Sequence, residues 1–64
     1  MKRRDLVRHL REHGCVFDHE GGNHTVFAGP SNTLSSVPRH NEIKNGLVRK
    51  ICSDLDIPHP FRSN

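Results

Sequence analysis

The apolar residues near the start of the chain repeat with helical spacing. Leu6, Val7 and Leu10 fall at positions i, i+1 and i+4, which is the narrow apolar stripe of an amphipathic helix. They predict a helix over residues 2–13. Gly14 suits the position just beyond the end of this helix, because a left-handed backbone is common there and is easily adopted by glycine.

A longer apolar repeat near the other end of the chain predicts a second helix. Asn41 can serve as its N-cap, and Pro58 lies beyond its end. The buried stripe of this helix is predicted from residues that recur every four positions and from two neighbours that broaden the stripe: Ile43, Leu47, Ile51 and Leu55, with Val48 and Cys52.

Three short strands are predicted between the helices. Residues 15–19 and 23–28 flank Gly21 and Gly22, which supply the positive φ that both central positions of a primed two-residue hairpin turn require. A turn-forming Gly-Pro-Ser-Asn cluster then returns the chain into a strand over residues 33–37, which a proline ends.

The position of the turn sets the expected register of this hairpin. If the two glycines are central, the cross-strand pairs are Glu20 with Asn23, His19 with His24, Phe17 with Val26, and Cys15 with Ala28. The last two pairs then form an apolar sheet face. The two histidines lie at its tip.

The element order αβββα predicts an α+β fold, in which two helices cover one face of a three-stranded antiparallel sheet. The chain has 64 residues, so we expect a single domain over residues 1–64 with a small core. Only 31% of its residues are hydrophobic, with neither Trp nor Tyr among them. Such a core favours a stabilising partner.

The two cysteines, Cys15 and Cys52, form no CxxC or zinc-ribbon spacing. We interpret both as core thiols; the competing interpretation is one disulfide in a secreted domain. The basic start of the chain leads into no apolar signal region, and no apolar run approaches the length of a membrane span. A reduced, cytoplasmic location is therefore expected.

The charge balance favours a polyanionic partner. Ten Lys or Arg against seven Asp or Glu give a formal net charge of +3, and six His can add to it. His9 and His13 have the i, i+4 spacing of two metal ligands on a helix, but no third ligand has an evident position. We therefore expect neither a metal nor another cofactor.

The predicted topology brings cations and imidazoles to one end of the sheet. The first helix begins there, beside the hairpin tip, and the third strand returns there before the N-terminus of the second helix, whose free amides attract anions. An imidazole at this pole can take the proton of a ribose 2′-hydroxyl while a cation stabilises the phosphate, so metal-free RNA cleavage is a candidate activity. The residues concerned are Lys2, Arg3, Arg4, Arg39 and His40, together with His19 and His24.

The same features have simpler interpretations. A basic helix start commonly faces water, the glycine pair indicates only a turn, and His24 on its own is more often an ordinary strand histidine. A non-catalytic RNA-binding module also fits, and it predicts RNA affinity without a cleaved product. A DNA-binding regulator is disfavoured, because a β-hairpin separates the two helices and leaves no helix-turn-helix.

Residues 20–25, Glu-Gly-Gly-Asn-His-Thr, resemble the Gly-Ser/Asn-His signature of the HicA (YcfA-like) toxin family. Residues 2–6 resemble the start of the family's first helix, residues 37–40 its entry to the last helix, and residues 51–58 its ending. The resemblance extends over residues 2–60 and rests on the whole ordered pattern.

This resemblance implies a fold like that of double-stranded-RNA-binding domains, cleavage of messenger RNA independently of translation, and neutralisation by a HicB antitoxin. Two departures are visible: residues 27–29 carry no cation where relatives often place Arg or His, and Asp56 replaces the glycine that usually ends the last helix. We expect an endoribonuclease toxin with His24 as catalytic acid or base, phosphate contacts from Lys2, Arg3, Arg4 and Arg39, and assistance from His40 or His19.

Overall fold

The computed structural model describes residues 1–61 and has the predicted order of elements. Residues 62–64 of the predicted domain lie outside the described part. The strands form one antiparallel sheet in the order β1-β2-β3, which confirms the α+β, αβββα fold class. The elements are α1 (Arg3–Glu12), β1 (Val16–Gly21), β2 (His24–Ala28), β3 (Leu34–Pro38) and α2 (Asn45–Asp54).

A single apolar core joins both helices to one face of the sheet, which we call the inner face; the opposite face is the outer face. Cys15 and Cys52 are free thiols buried in this core, as predicted, and burial raises the pKa of each. No helix within residues 1–61 is long and apolar enough to cross a membrane. The buried members of the core are Leu6, Leu10, Cys15, Phe27, Val37, Ile43, Val48, Ile51, Cys52 and Leu55.

Both helices end in the same hydrogen-bonded turn. After α1, Gly14 has φ of 85° and the amide of Cys15 donates to the carbonyl of Leu10, the bonding pattern of a Schellman motif. After α2, Asp56 takes the left-handed position with φ of 57°, and the amide of Ile57 donates to Cys52. Although Asp56 stands where a glycine is usual, the cap of α2 therefore has the same hydrogen-bonding pattern as that of α1.

The turn of the first hairpin lies one residue later than predicted. Gly21 pairs with His24, so that Gly22 and Asn23 are the central residues. Of these two only Gly22 has a positive φ, of 55°, as a type II′ turn requires at its first central position. The predicted pairing of His19 with His24 is therefore wrong, because one glycine at the first central position is enough for this turn.

A β-bulge at Asp18 also changes which residues share a face. Phe17 pairs with Phe27 but His19 pairs with Val26, so one extra residue stands in β1 between these pairs. Pairing places Phe17 on the inner face with Phe27, whereas Val26 belongs to the outer face. The predicted apolar face that combined Phe17 with Val26 is therefore wrong.

The second helix begins later than predicted, at Asn45, with Lys44 as its N-cap. Asn41 does not cap it. Residues 41–43 are extended instead and pair with residues 1–3: the amide of Arg3 donates to the carbonyl of Asn41 over 2.8 Å. This tertiary pairing satisfies backbone groups that a longer helix would have satisfied internally.

Candidate functional site

His24 lies at the first position of β2, between Gly21 of β1 and Pro38 of β3. Its ring rests against the backbone of Gly21, since a Cβ at Gly21 would lie 3.1 Å from the His24 Nε2 atom. The side chain is half-buried and takes no part in the apolar core. Gly21 thus provides the space that His24 occupies.

His19 shares the outer face with His24. Its partner is Val26, two residues from His24 along β2, and such diagonal neighbours in a sheet are typically about 7–8 Å apart. The Nδ1–H of His19 donates to the Asp18 carboxylate over 2.6 Å, which leaves Nε2 as the free ring nitrogen. Asp18, the extra residue of the bulge, therefore orients the His19 imidazole.

Arg3 is anchored to the strands beside His24. Its Nε donates to the carbonyl of Pro38 over 2.9 Å, and its Nη2 donates to the buried Thr25 hydroxyl over 3.0 Å. Three of the five guanidinium N–H donors remain for another partner. The start of α1 was predicted to lie beside the hairpin and the end of β3. Arg3 provides the side-chain hydrogen bonds that join them.

Thr25 continues this network to Glu20 and Arg39. The Thr25 hydroxyl donates to the Glu20 carboxylate over 3.0 Å, and the Arg39 guanidinium forms an ion pair with the same carboxylate oxygen. These hydrogen bonds, that of Arg39 first, lower the pKa of Glu20, so this carboxylate stays ionised. Thr25 and Glu20 were not predicted as site residues, because their role depends on the register.

The other predicted residues of the pole are exposed. Lys2 forms a 3.4 Å ion pair with Glu42, and Arg4 has no ion-pair partner within residues 1–61. Lys2, Arg3 and Arg4 line a cavity of about 310 Å³. His40 lies apart from them, in a second cavity with residues from the start of α2.

Replacement of Arg3 by glutamine is expected to lower the stability of the fold. The change removes two charge-assisted hydrogen bonds at a half-buried position, and we expect a loss of about 1–2 kcal/mol in the free energy of unfolding. Urea denaturation of Arg3→Gln measures this loss, with Arg4→Gln on the exposed face of the same helix as the matched control. Equal stability of the two variants would show that the Arg3 anchor contributes nothing.

The described residues contain no close group of three or more His, Cys, Asp or Glu side chains. The two helical histidines are engaged in the fold. His9 Nε2 donates to the carbonyl of Pro58 over 2.7 Å, and His13 Nδ1 donates to the carbonyl of His9 over 2.9 Å. The described residues therefore offer no complete set of metal ligands.

Comparison with protein families gives one match, to the family described as the HicA toxin of bacterial toxin-antitoxin, over residues 3–57. Neither the curated proteins nor the solved structures gave a significant match. The matched range runs from Arg3 to the residue that completes the α2 cap, and it includes every element of the fold. The chain is thus a member of the HicA toxin family, whose toxins act within toxin-antitoxin pairs.

Proposed function

We propose that this toxin is an endoribonuclease that cleaves messenger RNA independently of translation and without a metal ion, with His24 as its central acid–base group. The placement of the His24 imidazole carries the proposal. It is half-buried, outside the core, and set against Gly21, and it pairs with Pro38, whose carbonyl accepts from Arg3. The imidazole hydrogen bonds within residues 1–61 belong to other histidines, so neither ring nitrogen of His24 is engaged in one.

The chemistry suited to these groups is transfer of the RNA phosphate to its own 2′-oxygen. His24 accepts the 2′-hydroxyl proton as the 2′-oxygen attacks phosphorus, and the bond from phosphorus to the 5′-oxygen breaks. The leaving oxygen then takes a proton from a second acid. The products are a 2′,3′-cyclic phosphate and a 5′-hydroxyl, and each proton transfer typically contributes about 10²–10⁴-fold to the rate.

His19 is the better placed of the two candidate second acids. It lies on the same sheet face as His24, and the Asp18 carboxylate accepts its Nδ1–H, which leaves Nε2 for the proton transfer. His40 lies beside Ile43 and Lys44, toward α2. We therefore assign His19 to protonation of the leaving oxygen.

Lys2, Arg4 and the free donors of Arg3 are suited to hold phosphates of the RNA on the α1 side of the cleaved bond. Arg39 is held by Glu20 and extends the pole on the side of β3. Fixed cations around a crowded phosphate stabilise the additional charge of the transition state.

The partner that membership of this family implies is an antitoxin, and we propose that it is of the HicB type and binds the toxin in the cytoplasm. Ten of the described residues form the buried apolar core, so the area buried on folding is small. A tightly bound partner adds stability by mass action and holds the toxin inactive.

Incubation of the purified chain with RNA and excess chelator tests this function. We expect cleavage to persist and the products to carry cyclic phosphate ends. A matched substrate with 2′-deoxyribose at the cleaved position should remain intact, because it lacks the attacking oxygen.

Cleavage that requires an added divalent metal, or normal cutting of the deoxy substrate, would contradict the proposed chemistry. RNA binding without any product would instead identify the chain as a non-catalytic RNA-binding module.

A further inference from the structure

Helix α1 presents a row of arginines outside the proposed catalytic pole. Arg4, Arg8 and Arg11 follow at i, i+4 and i+7, so they lie on one face of the helix, where the Cβ atoms of such neighbours are typically about 5–6 Å apart. All three are exposed. We call this row the arginine stripe.

Little within the described part of the chain neutralises the stripe. Arg4 and Arg11 have no ion-pair partner among residues 1–61. Arg8 is paired with Asp5 over 3.0 Å, but 69% of the Arg8 side chain is exposed. Exposed pairs of this kind are weak, so a phosphate can displace the carboxylate.

The stripe is continuous with the pole. Arg3 and Arg4 line the 310 Å³ cavity at the start of α1 and also a neighbouring cavity of about 540 Å³, which extends along the helix past Arg11 to Glu12. Val7, half-buried, contributes an apolar surface between the arginines. A chain of phosphates bound at the pole can therefore continue along α1 without a gap in positive charge.

From this continuity we propose that the arginine stripe binds the sugar–phosphate backbone of the RNA strand on one side of the cleaved bond. The inference rests on the proposed function for the identity of the polyanion. Arginine suits the task because its planar fork of donors matches phosphate oxygens. The contacts are to the backbone, so the stripe adds affinity for RNA of any sequence.

The test measures the salt dependence of binding to a fluorescent 20-nucleotide RNA with 2′-O-methyl groups throughout, which cannot be cleaved by its own 2′-oxygens. In the double variant Arg8→Gln/Arg11→Gln we expect the slope of log K against log salt to become shallower by about 0.7 for each lost arginine. The control is Arg49→Gln/Lys50→Gln on α2, which makes the same change in net charge and should leave the slope unaltered. Asp5→Asn should tighten binding, because it releases Arg8.

An unchanged slope in the stripe variant overturns the proposal, even if unmodified RNA is still cut. The same result with weaker antitoxin binding would assign the stripe to the protein partner instead. A shallower slope in a chain that cleaves no RNA would support the stripe and reject the ribonuclease function, so the two failures are distinguishable.

Discussion

The variant His24→Ala is expected to lose RNA cleavage by about 10²–10⁴-fold while it keeps its fold. The His24 side chain lies outside the apolar core, and its ring is set against Gly21 without a side-chain hydrogen bond in residues 1–61. Its removal therefore deletes a proton acceptor and opens no cavity among the helices. Binding of RNA and of the antitoxin should survive, since the cations of the pole and of the arginine stripe remain.

Cleavage and thermal unfolding are measured on the same preparation of His24→Ala. His13→Ala is the matched control, because that imidazole is exposed and bonds only to its own helix within the described residues. A folded His24→Ala variant that still cuts RNA at the normal rate would move the acid–base role to His19 or His40. An unfolded variant would make His24 a structural residue.

The variant Gly29→Ala is expected to have the largest effect on stability. A Cβ at Gly29 would lie 2.5 Å from the carbonyl oxygen of Leu55 and 2.9 Å from the hydroxyl of Thr33. The first of these atoms belongs to the backbone at the end of α2, so no side-chain rotation relieves the contact. The end of β2 and the end of α2 must separate, which we expect to cost about 3 kcal/mol, toward the upper range for overpacked sites.

For a domain of this size, such a loss lowers the melting temperature by more than about 10 °C. Gly46→Ala is the control glycine variant. Nothing lies within 4 Å of a Cβ at Gly46, in the first turn of α2, so alanine should stabilise the fold there by up to about 1 kcal/mol. If Gly29→Ala had the same melting temperature as the wild type, α2 would have to shift over the sheet without a cost in stability.

The helix ends show how far local sequence determines this fold. Gly14 was predicted to follow α1, and it has the expected left-handed backbone because the motif depends on only a few neighbouring residues. Asn41 was predicted as a cap with equal local support, but its carbonyl accepts a hydrogen bond from the amide of Arg3. The residues around Asn41 do not indicate a hydrogen-bond partner so distant in sequence, so this pairing could not be predicted from them.

The hairpin shows the same limit at the site itself. A Gly-Gly pair specifies a turn but not which two residues are central, and the bulge at Asp18 has no signal in the sequence. The prediction that His19 and His24 share a sheet face is nevertheless confirmed, because the register shifted by an even number of residues at the tip. Phe17, beyond the bulge, lies on the opposite face from the two histidines, whereas it was predicted to share their face.

Arg3 illustrates a role that only the folded chain defines. The sequence predicted it as one of three equivalent cations, and nothing in the Lys-Arg-Arg run separates them. The structure separates them by contact, since Arg3 alone of the three reaches Thr25 and Pro38. Its predicted phosphate contact remains a proposal.

The pairing of residues 1–3 with residues 41–43 encloses all three strands in one long chain loop. Hairpins between consecutive strands close short loops and form quickly, whereas this pairing must wait until the two distant segments meet. We therefore expect this pairing to form late in folding. In the native state, hydrogen exchange of the Arg3 and Ile43 amides should report a local opening that leaves the sheet folded. Since the same segment carries Lys2 and Arg3, the part of this toxin that we expect to assemble last is also a part that we propose to bind RNA.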